Sequence, residues 1–134
     1  MKRLLPLAAL LILAHHSSAE KRTIPCKTPA IASSCYVTHG RLNIWQGAVN
    51  FRLWEIGTNH MLGIYSGLSD FVHPEAADTE SPQLPTNLDK LFYPDGLGVF
   101  VYADFEVCPL EPRIPGHMQP ACIESATHLV VKRY

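Results

Sequence analysis

The sequence predicts a mainly β domain: a five-stranded barrel or antiparallel meander, with one short helix between strands three and four. Three observations carry this expectation. Several segments alternate apolar and polar residues with a period of two, the mark of a half-buried strand. The stretch 66–97 holds Pro74, Pro82, Pro85 and Pro94 among six acidic residues and has room for one helical pattern only. Gly40 lies inside the first strand, where a glycine commonly marks a bulge or sharp bend.

The elements follow in order. From Cys35 to Trp45, Tyr36, Leu42 and Ile44 share one parity, and His39, Arg41 and Asn43 share the other. Gln46-Gly47 reads as a tight turn. The second strand, Val49 to Ile56, places Val49, Phe51 and Leu53 on one face and Asn50, Arg52 and Trp54 on the other. Gly57-Thr58-Asn59 turns into a shorter third strand, His60 to Tyr65. Three strands with short connections make a meander. The helix has Thr86 as its N-cap and runs Asn87 to Phe92, with Leu88, Leu91 and Phe92 on one side and Pro94 ending it. It is expected to plug one end of the sheet.

Val99 to Cys108 is the strongest strand pattern. Val99, Val101, Ala103, Phe105 and Val107 face one way; Phe100, Tyr102, Asp104, Glu106 and Cys108 face the other. Four prolines and Gly116 make 109–120 an irregular loop. A last strand begins at Cys122 or Ile123 and ends at Arg133. Three strands, a helix-bearing loop and two strands is the order of an OB-type barrel. Its first strand needs a bend because it serves both halves of the sheet, which gives Gly40 a purpose.

The N-terminus has a different composition. Lys2 and Arg3 precede the apolar run Leu4 to Ala14, and small or polar residues follow to Ala19. That is the layout of a secretory signal peptide, with Ser17 and Ala19 at −3 and −1. The run of 11 apolar residues is too short for a span of roughly 20. No lipobox precedes Cys26. Cleavage after Ala19 would leave residues 20–134 as one β domain, and the formal charge would move from −1 to −3. Neither value favours nucleic acid as a partner. Lys21-Arg22 also resembles a dibasic processing site, a pattern common after signal peptides.

Cys26, Cys35, Cys108 and Cys122 all remain, and an even number in an exported chain implies two disulfides. The local pairing, Cys26–Cys35 with Cys108–Cys122, closes loops of 10 and 15 residues and is expected slightly ahead of its rival. The rival, Cys35–Cys108 with Cys26–Cys122, becomes plausible if the first and fourth strands are neighbours.

Motifs for chemistry are sparse. His39, His60, His73, His117 and His128 have no HxH or HExxH spacing, so no local metal site is encoded. His39 and His128 lie on the first and fifth strands and meet only if the fold joins them. Asp104 and Glu106 project from one strand face, an arrangement suited to acid–base work or to pairing with Arg41 or Arg52. Glu124 is the one further carboxylate near enough to join them. There is no G-x-S-x-G, P-loop or G-x-G-x-x-G. No catalytic residue, metal or cofactor is assigned. Asn50, Arg52 and Trp54 are the candidate binding residues: a stacking ring between hydrogen-bonding groups, suited to a saccharide, peptide or protein ligand. The alternative for Trp54 is half-burial under the loop 66–97.

The segments His39-Gly40-Arg41-Leu42, Arg52-Leu53-Trp54-Glu55-Ile56-Gly57-Thr58, Asp104-Phe105-Glu106-Val107-Cys108-Pro109 and Cys122-Ile123-Glu124-Ser125-Ala126 resemble a family of small exported bacterial proteins of unknown function. The resemblance implies export, to the periplasm or beyond, and a shared compact β fold. It carries no catalytic residue. Three function classes follow: a non-catalytic binding or interaction module, a structural or inhibitory protein acting through the acidic loop 66–97, and a small envelope enzyme using Asp104, Glu106 and His39.

Overall fold

A computed structural model describes residues 22–47 and 49–134. The expected leader, 1–19, lies outside the described residues. Five strands form: β1 (Tyr36–Ile44), β2 (Phe51–Glu55), β3 (Met61–Ile64), β4 (Val99–Pro109) and β5 (Gln119–Arg133). They close into a barrel in the order β1-β2-β3-β5-β4. The first three strands are the expected meander. Closure comes from a parallel contact of β3 with β5, Leu62 to Gln119 through Ile64 to Ala121, so the sheet is mixed. The element order, three strands, a helix-bearing segment and two strands, is the one expected from the sequence.

Gly40 sits where β1 changes its pairing. From Tyr36 to His39 the ladder runs to β4; from Gly40 onward β1 pairs with both β2 and β4. A Cβ at Gly40 would lie 2.9 Å from the Trp54 carbonyl oxygen and 3.2 Å from Leu53 Cγ. The strand crosses between the two halves only because no side chain stands there.

Inward alternation fills the barrel. Leu42, Phe51, Leu53, Leu62, Ile64, Val101, Ala103, Phe105, Val107, Ala121 and Ile123 are fully buried. The predicted helix is α2 (Thr86–Phe92), since α1 (Leu68–Val72) precedes it, and Pro85 rather than Thr86 stands at the N-cap of α2. Leu88 and Phe92 of α2 enter the core, and Phe92 meets Phe51 edge-on with ring centroids 5.1 Å apart. Helix α2 is therefore the plug. The loop 66–97 holds more order than expected, with α1 and a 3₁₀ turn at Pro74–Ala76. Five residues of α1 are too few for periodicity to reveal. Pro82, Leu84 and Leu88 are buried, and the exposed acidic residues of the loop are Glu75, Asp78, Glu80 and Asp95.

Both disulfides join the N-terminal segment to the barrel: Cys26–Cys122 and Cys35–Cys108. The expected local pairing is corrected. β1 lies beside β4, with Tyr36 opposite Val107, so Cys35 arrives at Cys108. The bonds span sequence separations of 96 and 73. By loop entropy such closures are worth about 4–5 kcal/mol each, against about 3 for the short loops. Beneath residues 22–35 a second apolar cluster forms from Cys26, Cys108, Leu110 and Cys122, with Ile31, Tyr65, Leu68 and Phe71 against it. Arg22 pins the segment by donating to the carbonyls of Ile24 (2.7 Å), Ile123 (2.6 Å) and Ser66. This basic residue has a structural task that the dibasic pattern did not disclose.

Candidate functional site

Residues that alternate away from the core collect on one outer face shared by β2, β1, β4 and β5. The register sets its rows. Arg52 stands opposite Asn43, and Asn43 opposite Phe100. In the next row Trp54 faces Arg41, and Arg41 faces Tyr102. In the third His39 faces Asp104. The polar parity read from the first and fourth strands is this face.

At one end, cations lie on aromatic rings. The Arg41 guanidinium carbon is 5.1 Å from the Trp54 ring centroid and 5.4 Å from that of Phe100. Arg52 lies 5.4 Å over Trp45, and Lys132 5.7 Å over Tyr102. Ring faces carry negative quadrupole density, so each contact holds a cation in place and limits its rotamers. Arg41 Nε is buried and makes no hydrogen bond. Trp54 is fixed in turn by its indole N–H donating to the Thr58 carbonyl at 2.8 Å. Arg52 Nε donates to the Val49 carbonyl at 3.1 Å.

Two of the three predicted binding residues share this face, Arg52 and Trp54. Asn50 does not. It stands one residue before β2, and its backbone carbonyl accepts from Trp45 N at 2.6 Å. It lines a cleft of about 640 Å³ with Ile44, Trp45, Thr79 and Leu97, and its Oδ1 is buried without a hydrogen bond. Trp45 links cleft to face, since it lines the first and stacks under Arg52 on the second. Strict alternation put Asn50 on the strand; the chain is still turning there, with Val49 at φ +47°.

The middle of the face holds a second constellation. Asp104 bridges two imidazoles: Oδ1 is 2.9 Å from His39 Nδ1 and Oδ2 is 2.9 Å from His128 Nδ1. An ionised carboxylate only accepts, so both Nδ1 atoms donate. The hydrogen bonds from His39, then from His128, hold the Asp104 carboxyl below the usual carboxylate range. All three side chains are open to water, at 59%, 38% and 81% for His39, Asp104 and His128. His128 reaches Asp104 through an irregularity. The β4–β5 register shifts between Tyr102 and Asp104, and His128 sits there at φ +56°. A bulge re-aims a side chain in this way.

Glu106 does not join that cluster. It pairs with Lys27 Nζ at 3.4 Å, and Glu124 accepts from Lys27 N at 2.9 Å. The expected pairing of Asp104 or Glu106 with Arg41 or Arg52 is not what forms: Asp104 takes the histidines, Glu106 takes lysine, and the arginines lie on rings. His60 is buried against Gln119 at 2.8 Å.

Comparison with family models, curated proteins and solved structures found no match.

Function is therefore read from the face itself. Among the described residues, the only trio of ligating atoms close enough to share a metal ion is the sulfurs of Cys26, Cys108 and Cys122. All three are committed to disulfides, which removes them as thiolate ligands. No described helix is long and apolar enough to cross a membrane. Sequence reasoning named His39, Asp104, Arg52 and Trp54. It gave Arg41 only an ion-pair role and Phe100 none. The signal for both was present, because cross-strand register follows once β1 is placed between β2 and β4.

Proposed function

We propose that this chain is an exported, non-catalytic binding module whose ligand face is the outer surface of β2, β1 and β4. One observation carries the proposal: Arg41 is held between the rings of Trp54 and Phe100 with no carboxylate partner among the described residues, beside Arg52 on Trp45. A guanidinium oriented by ring faces loses little entropy when it grips an oxygen pair, and it forks naturally onto a carboxylate. The matching ligand is an extended chain that carries carboxylates and flat apolar groups, such as an acidic peptide or a uronate-bearing saccharide. By analogy with an OB-type barrel, the part of this face on β2 and the β1–β2 loop, Arg52, Trp54 and Trp45, belongs to the usual ligand platform. Two disulfides fit an oxidising, extracytoplasmic setting, in keeping with the exported bacterial proteins that the sequence resembles.

The test is tryptophan fluorescence with an oligouronate and with a glutamate-rich peptide as titrants. A saturable change is expected with at least one of them, weakening as salt rises. Arg41→Ala and Trp54→Ala should each lower affinity by tenfold or more, which is about 1.4 kcal/mol. No saturable change with either titrant, or unaltered affinity in both variants, would overturn the proposal.

Acid–base catalysis has one observation behind it, the carboxylate that orients His39 and His128. The cluster lies on an open sheet face, with all three of its side chains accessible to water. That favours binding over turnover. A hydrolytic activity lost in a folded Asp104→Asn variant would reverse the preference.

A further inference from the structure

The sulfur atoms are arranged as more than two separate crosslinks. Cys26, Cys108 and Cys122 have Sγ atoms all within 4.8 Å of one another, although they belong to two different bonds. Cys108 and Cys122 are also direct register partners across β4 and β5. Opposite residues of an antiparallel pair lie within the Cα spacing that a disulfide accepts. A third bond, Cys108–Cys122, is thus within reach of side-chain rotation alone. Access is unequal: Cys26, Cys108 and Cys122 are buried at 0–1%, whereas Cys35 is partly exposed.

We infer that the four cysteines form a thiol–disulfide exchange site, in which an external thiolate attacking Cys35 moves the crosslink to Cys108–Cys122 and unlatches residues 22–35. The steps balance. The external thiolate bonds to Cys35 Sγ as the Cys35–Cys108 bond breaks, and Cys108 leaves with the electron pair as a thiolate. Burial disfavours that thiolate, and the neighbouring disulfide offers it an exit. Cys108 attacks Cys122 Sγ, the Cys108–Cys122 bond forms, and the Cys26–Cys122 bond breaks. Cys26 leaves as a thiolate and takes a proton from water. The attacking thiol ends as a mixed disulfide on Cys35. A second equivalent frees Cys35 and forms the oxidised thiol dimer.

The structural consequence follows from the chain order. Both original bonds tie residues 22–35 to the barrel, one at Cys26 and one at Cys35. The isomer ties β4 to β5, which are already paired along their length. One exchange therefore releases both sulfur anchors of the N-terminal segment and leaves the barrel crosslinked.

Reduced glutathione is the probe. The oxidised protein is treated with limiting glutathione, quenched with a maleimide, digested and mapped by mass spectrometry. The expected first product carries a Cys108–Cys122 bond, glutathione or maleimide on Cys35, and maleimide on Cys26. A first product that keeps Cys26–Cys122 with labels on Cys35 and Cys108 would overturn the inference, as would no exchange at all. Cys35→Ser supplies a check without reductant: Cys108–Cys122 with free Cys26 should dominate, and intact Cys26–Cys122 with free Cys108 counts against it. If that variant does not fold, the wild-type map decides alone.

Discussion

Asp104 shows how one residue gathers a site from three strands. Its partner on β1 was legible, because His39 and Asp104 both occupy the outward parity of strands that the barrel makes neighbours. Its partner on β5 was not, because the bulge at His128 breaks the alternation from which a face is read. Two hydrogen bonds to the ionised carboxylate depress its pKa. The sign follows from linkage. A carboxyl held lower in the folded state adds stability above the ordinary aspartate value of about 3.9, and that stability is lost as pH falls through the folded value. Side-chain carboxyl-carbon NMR should therefore find Asp104 titrating below the ordinary aspartate value. In a His39→Ala/His128→Ala variant it should return toward that value. A wild-type Asp104 that titrates among ordinary aspartates would remove the basis for the cluster.

Elements follow the same division between periodic and irregular structure. β1, β2, β4 and α2 lie within a few residues of their predicted places because each keeps a regular alternation or helical side. β5 is longer than predicted and begins at Gln119. Along it, the core positions fall at Ala121, Ile123, Ala126 and Leu129, with two steps of three residues where alternation demands two. Those steps are the bulges, and no local pattern announces them; β4 imposes them by its register. Helix α2 is the converse case, since Leu88, Leu91 and Phe92 fix its buried side from sequence alone. Its value lies in Phe92, which is 1% exposed and packs on Phe51 at the barrel end. Phe92→Ala should cost about 3–5 kcal/mol, because the plug is lost and a cavity remains. Urea unfolding measures this directly. A loss below about 1 kcal/mol would mean that the barrel closes without its plug.

At the scale of the whole molecule, the described fold has one barrel core and a smaller cluster under the N-terminal segment. A core of this size leaves a margin of roughly 5–15 kcal/mol between large opposing terms. Two bonds with separations of 96 and 73 constrain most of the unfolded chain. Loop entropy assigns about 4–5 kcal/mol to each taken alone, though two overlapping loops contribute less than their sum. The crosslinks are thus comparable with the entire margin, and this is the physical link between fold and compartment. A chain built this way is stable where thiols oxidise and marginal where they are kept reduced. Cysteine count and a leader-like N-terminus made that link legible, whereas the pairing needed the strand order. Urea unfolding with and without full reduction tests the link. The reduced protein should lose several kcal/mol, enough to leave it partly unfolded without denaturant, and Cys26→Ala/Cys122→Ala should account for about 2–5 kcal/mol of that loss. If the midpoint stays where it was after complete reduction, the barrel stands on packing alone, and the disulfides no longer argue for an oxidising environment.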